Sequence, residues 1–248
     1  MLGEVFVKQT IIFDLDDTLI HCNKYFHKAV DAFCSNMNNW FSEYNIGLLE
    51  IKSKQQEIDI ERVVREGFAD THFSTSLIDT YCYFSKKTGR NKDKKEEQWI
   101  NEIGESAYAK DLECYPSMID VLNCLKEQGH NLYLYTAGNP IIQKRKIERV
   151  NIGHYFEERI FVTPHKNAQV LEGIIKKERL DKQNTWMIGN SMKSDIMPAV
   201  EAGIKAIYIP GLFEWSYDNV VLKDEHLSSF KTVESLKCLK DMFLEEAI

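Results

Sequence analysis

The sequence predicts an α/β protein, a Rossmann-like parallel sheet with helices on both faces plus an inserted α-helical domain. Three observations predict it. A short apolar run, Ile11 to Phe13, stops abruptly at a carboxylate, as a buried strand does at the edge of a sheet. From Tyr115 onward, strand-like and helix-like stretches alternate, the pattern of βα units around a parallel sheet. Between these regions the apolar residues recur only at helical spacing. The chain therefore divides into an α/β core over residues 1–20 and 114–248 and a helical insertion over 21–113.

Each element follows from its local pattern. In the insertion, Phe26, Val30, Phe33, Met37, Trp40, Phe41 and Tyr44 form a helical stripe whose aromatic character reads as core. A second helix holds Ile58, Val63 and Val64 and ends near Gly67, a third holds Leu77, Ile78, Tyr81 and Phe84, and a fourth holds Trp99, Ile100, Ile103 and Ala107. The charged connection between the last two reads as a solvated loop and helix start. Past Tyr115-Pro116, a helix over 117–128 is ended by Gly129. A strand follows over 131–136, and Asn139-Pro140 opens the next helix as N-cap and first helical residue. Strands are expected at 160–163, 185–188 and 206–209, with helices over 166–179 and, after Gly189-Asn190-Ser191, through Ala202. The tail over 232–246 reads as one further helix, with Val233, Leu236, Leu239, Met242 and Phe243 apolar.

Bulk properties exclude several classes. A formal net charge of −7 over 248 residues argues against a general nucleic-acid binder. The six cysteines form no CxxC pair, and the seven histidines lack zinc-ligand spacing. The first residues show no basic segment followed by a long apolar run, and no run approaches the length of a membrane span. Free thiols in a reducing cytoplasm are the expectation, with no membrane partner.

Polar residues gather past the predicted strand ends, the edge where open parallel sheets bind ligands. Asp14 and Asp16 follow the first strand; alternation along a strand would project them together, an arrangement suited to a divalent ion and acid–base work. Taken alone, Asp16, Asp17 and Thr18 read equally as turn and cap residues. Thr136, with Ala137, Gly138 and Asn139, follows the second strand, and the amides opening the helix after Gly138 suggest an anion site. Lys166 lies just past the third strand. Gly189-Asn190-Ser191 follows the fourth, with Asp195 one turn later.

These residues resemble the motifs of the haloacid dehalogenase superfamily, in the branch with a helical cap inserted after the first motif. Asp14-Leu15-Asp16-Asp17-Thr18 is similar to the family's Asp-x-Asp-x-Thr, Thr136 to the second motif, Lys166 to the third, and Gly189 to Asp195 to the fourth. The resemblance implies a Mg²⁺-dependent phosphatase acting on a small phosphorylated metabolite: a sugar phosphate, phosphoglycolate or a nucleoside monophosphate. Asp14 would be the nucleophile and Asp16 the general acid and base. Thr136 with Ala137, Gly138 and Asn139 would bind phosphate, Lys166 would supply positive charge, and Asp14, Asp16, Asn190 and Asp195 would form the metal site. The dehalogenase branch lacks an acid at the position of Asp16. A phosphomutase shares both aspartates, and a binding protein that keeps the fold is the rival from another class. A monomer or homodimer is expected. One position departs from the family pattern: the fourth motif usually begins Gly-Asp, and here the residue is Asn190. Either Asp195 carries the charge with Asn190 as a neutral ligand, the reading adopted, or the metal site is disabled.

Overall fold

The computed structural model describes residues 7–67, 69–109, 112–213, 215–218, 220 and 229–245. They divide into two compact units, residues 1–21 with 112–248, and residues 22–111.

The first unit begins with β1 (Thr10–Phe13), every residue of which is buried. The second unit then takes the chain through α1 (Asn23–Trp40), α2 (Leu48–Glu66), α3 (His72–Thr88) and α4 (Lys94–Ala109). Its core joins Phe33, Met37 and Phe41 to Leu77, Tyr81, Phe84 and Ile100, so the aromatic stripe of the first helix is packed rather than displayed. On return to the first unit come α5 (Met118–Glu127), β2 (Asn131–Ala137), α6 (Pro140–Arg149), the short α7 (Gly153–Phe156), β3 (Ile160–Thr163) and α8 (Ala168–Glu178). Then follow β4 (Thr185–Gly189), α9 (Met197–Glu201), β5 (Lys205–Tyr208), β6 (Lys231–Thr232) and α10 (Cys238–Glu245).

The strands form one parallel sheet in the order β3-β2-β1-β4-β5-β6. Alternation along β1 sends Ile11 and Phe13 to one face and Ile12 to the other. The first pair joins a core with Leu122, Leu134, Ile188 and Leu239, and the second face joins Tyr135, Leu171, Met187 and Ala199. Both faces are thus covered by helices, which is why the central strands are apolar throughout. The strand order reverses direction between β1 and β4, so a crevice opens there at the C-terminal ends of the strands. Among the described residues, no helix is long and apolar enough to cross a membrane.

Several local expectations are corrected. The tail does not become helical at Thr232. Lys231 and Thr232 pair with Ile207 and Tyr208, and the helix starts at Cys238. Sheet pairing overrides the helical spacing of Val233 and Leu236, and residue 246 lies outside the described residues. The segment after Ser191 opens as a π-helical turn, Met192–Ile196, before α9 begins beside Pro198. The eighth helix begins at Ala168 behind an Asn167 cap, whose side chain accepts from the Val170 amide at 2.9 Å, so Lys166 precedes the helix.

Candidate active site

Asp14 sits one residue beyond β1, with its amide donating to the Ile188 carbonyl of β4 at 2.9 Å. Its carboxylate lies at the crevice between the two strands and is only 5% exposed. Lys166 reaches it from the end of β3: its ammonium donates to Asp14 Oδ1 at 2.5 Å and to the Tyr135 carbonyl at 3.3 Å. The same ammonium forms an ion pair with Asp195 Oδ1. Placing Lys166 ahead of the α8 cap, rather than inside the helix, gives its side chain this reach.

Asp195 is 1% exposed and comes from the π-helical turn. Such turns concentrate at functional positions, because the widened backbone re-aims a side chain. The Ser191 amide donates to Asp195 Oδ2 at 3.0 Å, and the Ser191 hydroxyl accepts from the Ser194 amide at 3.0 Å. Gly189 completes the arrangement. A Cβ there would collide with the Asp195 carboxylate, so only glycine lets that side chain lie against the strand end.

One ammonium cannot neutralise two buried carboxylates. Burial raises the Asp14 carboxyl to about 7, Lys166 opposes the shift, and Asp195 adds to it. Asp195 is likewise raised, first by burial, against the pull of Lys166. Burial alone would lower the Lys166 ammonium, but Asp14 and Asp195 outweigh it and hold it charged.

Asp16 belongs to a different set of contacts from Asp14. β1 has already ended at Phe13, and Asp17, at φ 60°, turns the chain through the left-handed region that Asp tolerates. The Asp17 amide donates to the Ile20 carbonyl at 2.7 Å and closes this turn. Asp16 instead meets α6. Lys146 Nζ donates to its two oxygens at 2.7 and 2.8 Å, and Gln143 Nε2 donates to Oδ2 at 2.9 Å. Both carboxylates lie past the end of β1, and Asp16 is near enough to raise Asp14, behind burial and Asp195.

Thr136, at 1% exposure, accepts from Gln143 Nε2 at 2.6 Å. Gln143 therefore links Thr136 to Asp16. The anion cradle expected beyond Gly138 is reduced. The Gly138 amide donates to the Thr163 carbonyl at 2.9 Å, the Ile141 amide donates to Asn139 Oδ1 at 2.9 Å, and Pro140 has no N–H. Gly138, at φ +134°, holds a conformation that L side chains rarely adopt and sets this turn. Ala137, Gly138 and Asn139 form the loop beside Thr136 without presenting a ring of uncommitted amides.

Asn190 accepts from the Thr18 hydroxyl at 3.2 Å through Oδ1, which keeps a second lone pair. Among the described residues, no group of three His, Cys, Asp or Glu side chains is arranged to hold a metal. A divalent ion would rest on mixed oxygen donors: Asp14, Asp195, the Asn190 amide oxygen and the Asp16 main-chain carbonyl. Mg²⁺ takes such donors, with one or two carboxylates and several waters. The excess negative charge on the buried triad fits a cation.

Three contributors went unforeseen. Gln143 and Lys146 lie three residues apart on α6, and the phase of Gln143 with the buried Ile147 was their available signal. The third is Asp218, whose Oδ1 accepts a hydrogen bond from the Ser191 hydroxyl. It lies in a segment with no periodic pattern.

Comparison with known proteins accords with this geometry. A glyceraldehyde 3-phosphate phosphatase from Pyrococcus abyssi is 25% identical over 210 residues, covering 81% of this chain and 80% of that protein. Among solved structures, a haloacid dehalogenase-like family hydrolase from Xanthomonas campestris superposes with a TM-score of 0.76 at 20% identity, covering 97% of each chain. A magnesium-bound HAD-hydrolase from Bacillus subtilis superposes with a TM-score of 0.60 at 18% identity, covering 95% of this chain and 98% of that one. The family model for haloacid dehalogenase-like hydrolases matches residues 8–203, most of the chain, so this protein belongs to the haloacid dehalogenase-like hydrolases.

Proposed function

We propose that this chain is a Mg²⁺-dependent phosphatase that hydrolyses a small phosphate monoester through an aspartyl-phosphate on Asp14. The observation that carries the reading is the contact of Lys166 with Asp14 Oδ1 at 2.5 Å, which anchors one oxygen of a buried carboxylate at the sheet crevice. Asp14 Oδ2 is the atom assigned to attack phosphorus, with expulsion of the substrate alkoxide. Asp16 donates a proton to that oxygen. It then accepts a proton from the water that attacks the acyl phosphate, which frees phosphate and Asp14. To act, Asp16 must loosen from Lys146. Thr136, whose oxygen already accepts from Gln143, keeps its own proton to give to a phosphoryl oxygen. Lys166 adds a compact positive charge. Asp14, Asp195, Asn190 and the Asp16 carbonyl would hold Mg²⁺. When bound, that ion offsets the repulsion between an anionic nucleophile and an anionic phosphate.

The names of the curated relatives support three-carbon phosphates, glyceraldehyde 3-phosphate among them, as the substrate class. We assign the helical unit the part of a cap that selects among them. The test is release of inorganic phosphate from p-nitrophenyl phosphate and from a metabolite panel including glyceraldehyde 3-phosphate, with Mg²⁺ titrated and then removed by EDTA. Turnover that appears with Mg²⁺, disappears with EDTA and is highest on a small sugar phosphate is expected. No phosphate release at saturating Mg²⁺ from any substrate would overturn the reading.

A further inference from the structure

The proposed metal site has a neutral amide, Asn190, among its oxygen donors. Two buried carboxylates, Asp14 and Asp195, share one ammonium, Lys166, so the three carry a single net negative charge. That excess attracts a cation but offsets only one of the two charges of a divalent ion, and a charge taken out of water is stable only when offset nearby.

A further carboxylate stands beside this set. Asp218 ends a short turn, Ser216–Asp218, and its amide donates to the Trp215 carbonyl at 2.9 Å. Its Oδ1 accepts from the hydroxyl of Ser191, the residue next to Asn190. The Ser191 amide meanwhile donates to Asp195 Oδ2 at 3.0 Å. A single serine thus ties both aspartates to the loop that carries Asn190. Asp218 lies within the electrostatic reach of Asp14 and Lys166, and Lys193 faces it as well. Lys193 is only partly buried and lies 3.5 Å over the Tyr217 ring, where it pins the turn that delivers Asp218. Among the described residues, none donates a hydrogen bond to Asp218 Oδ2.

We propose that Asp218 supplies the anionic charge that Asn190 does not, as a metal-site residue delivered from the segment after β5. Counting it, a third carboxylate joins Asp14 and Asp195 around Lys166, one more negative charge toward a divalent cation, with the partly buried Lys193 on its outer side. Lys146 does not alter this count, because it is matched with Asp16. This deepens the phosphatase reading above and rests on its metal.

The test is Mn²⁺ binding to the full chain, followed by the loss of the free-ion electron paramagnetic resonance signal, with Mg²⁺ as competitor. Variants are Asp218→Asn, Asn190→Asp and the two combined. Asp218→Asn should weaken Mn²⁺ binding by roughly 10–100-fold, the range for groups that support a metal site. Adding Asn190→Asp to it should restore binding to near the wild-type value, since the charge returns from the neighbouring position. Circular dichroism without metal checks that each variant is folded, and Asp218→Ser replaces Asp218→Asn if the latter is not. Wild-type affinity in Asp218→Asn would overturn the proposal, as would a loss that Asn190→Asp does not restore. A wild type that binds no divalent ion would overturn the metal reading itself, and this assignment with it.

Discussion

Two polar networks, one in each unit, differ in how their charges are matched. In the helical unit, Arg90 and Glu96 form a two-pronged pair at 2.7 Å on each prong. The Tyr81 hydroxyl donates to the same carboxylate at 2.6 Å and accepts from the Asp93 amide at 2.8 Å. Arg90 also stacks 4.9 Å from the Phe41 ring. One cation meets one anion, and the donors and acceptors are matched. At the sheet edge, Lys166 faces Asp14 and Asp195, with Asp218 nearby, and its charge is outnumbered. The first network is partly open to water, with Arg90 and Glu96 only part-buried, and the second is almost fully buried. The first holds helices together, and the second stores an imbalance that a cation and an anionic substrate can use. Charge matching and burial together distinguish the two networks: the more exposed one is balanced and the buried one is not.

The comparison is broken most severely at its centre. Asp14→Asn keeps the shape of the nucleophile but removes its reactivity, and phosphatase turnover should fall by about three or more orders of magnitude. The check is steady-state phosphate release together with loss of the phosphorylated chain in the mass spectrum. Near-wild-type turnover would remove Asp14 from the mechanism.

Next comes Asp16→Asn, which should cost roughly 10²–10⁴-fold in kcat on alkyl phosphates, the range for general acid–base catalysis. On p-nitrophenyl phosphate the loss should be smaller, because that leaving group needs less help from a proton. A rate comparison across the two substrates is the measurement, and equal losses would refute the acid role.

The matched network gives the smallest effect on chemistry. Glu96→Ala leaves the Arg90 guanidinium and the Tyr81 hydroxyl without their acceptor, so it should destabilise the fold by about 1.5–3 kcal/mol. Turnover per folded molecule should stay close to wild type. Urea denaturation read beside kcat separates the two effects, and a variant of full stability and no activity would reverse the contrast between the networks.

How much of this was legible follows from which residues carry a local signal. The apolar run of β1, the N-cap and proline at α6, and the helical stripe of α1 are periodic or punctuated patterns, so the parallel sheet and the all-helical stretch could be read directly. Lys166 and Asp195 were placed by their distance from predicted strand ends. Lys146 and Gln143 were not, because a glutamine and a lysine on a polar helix look like a solvated face until α6 is docked beside Asp16. Asp218 had still less to mark it, since a turn residue far along the chain reaches the site only through tertiary folding. The tail shows the opposite error: Val233 and Leu236 carry a helical spacing that pairing with β5 overrides.

The position of Gln143 has one further consequence. Both hydrogens of its amide are committed, one to Asp16 Oδ2 at 2.9 Å and one to Thr136 Oγ1 at 2.6 Å. The Thr136 oxygen is held by one donor, which leaves its own proton to turn toward a further acceptor. Gln143 thus orients the Thr136 hydroxyl and the Asp16 carboxylate together. An oxygen-rich anion placed beside Thr136 would meet a hydroxyl whose proton is available to it.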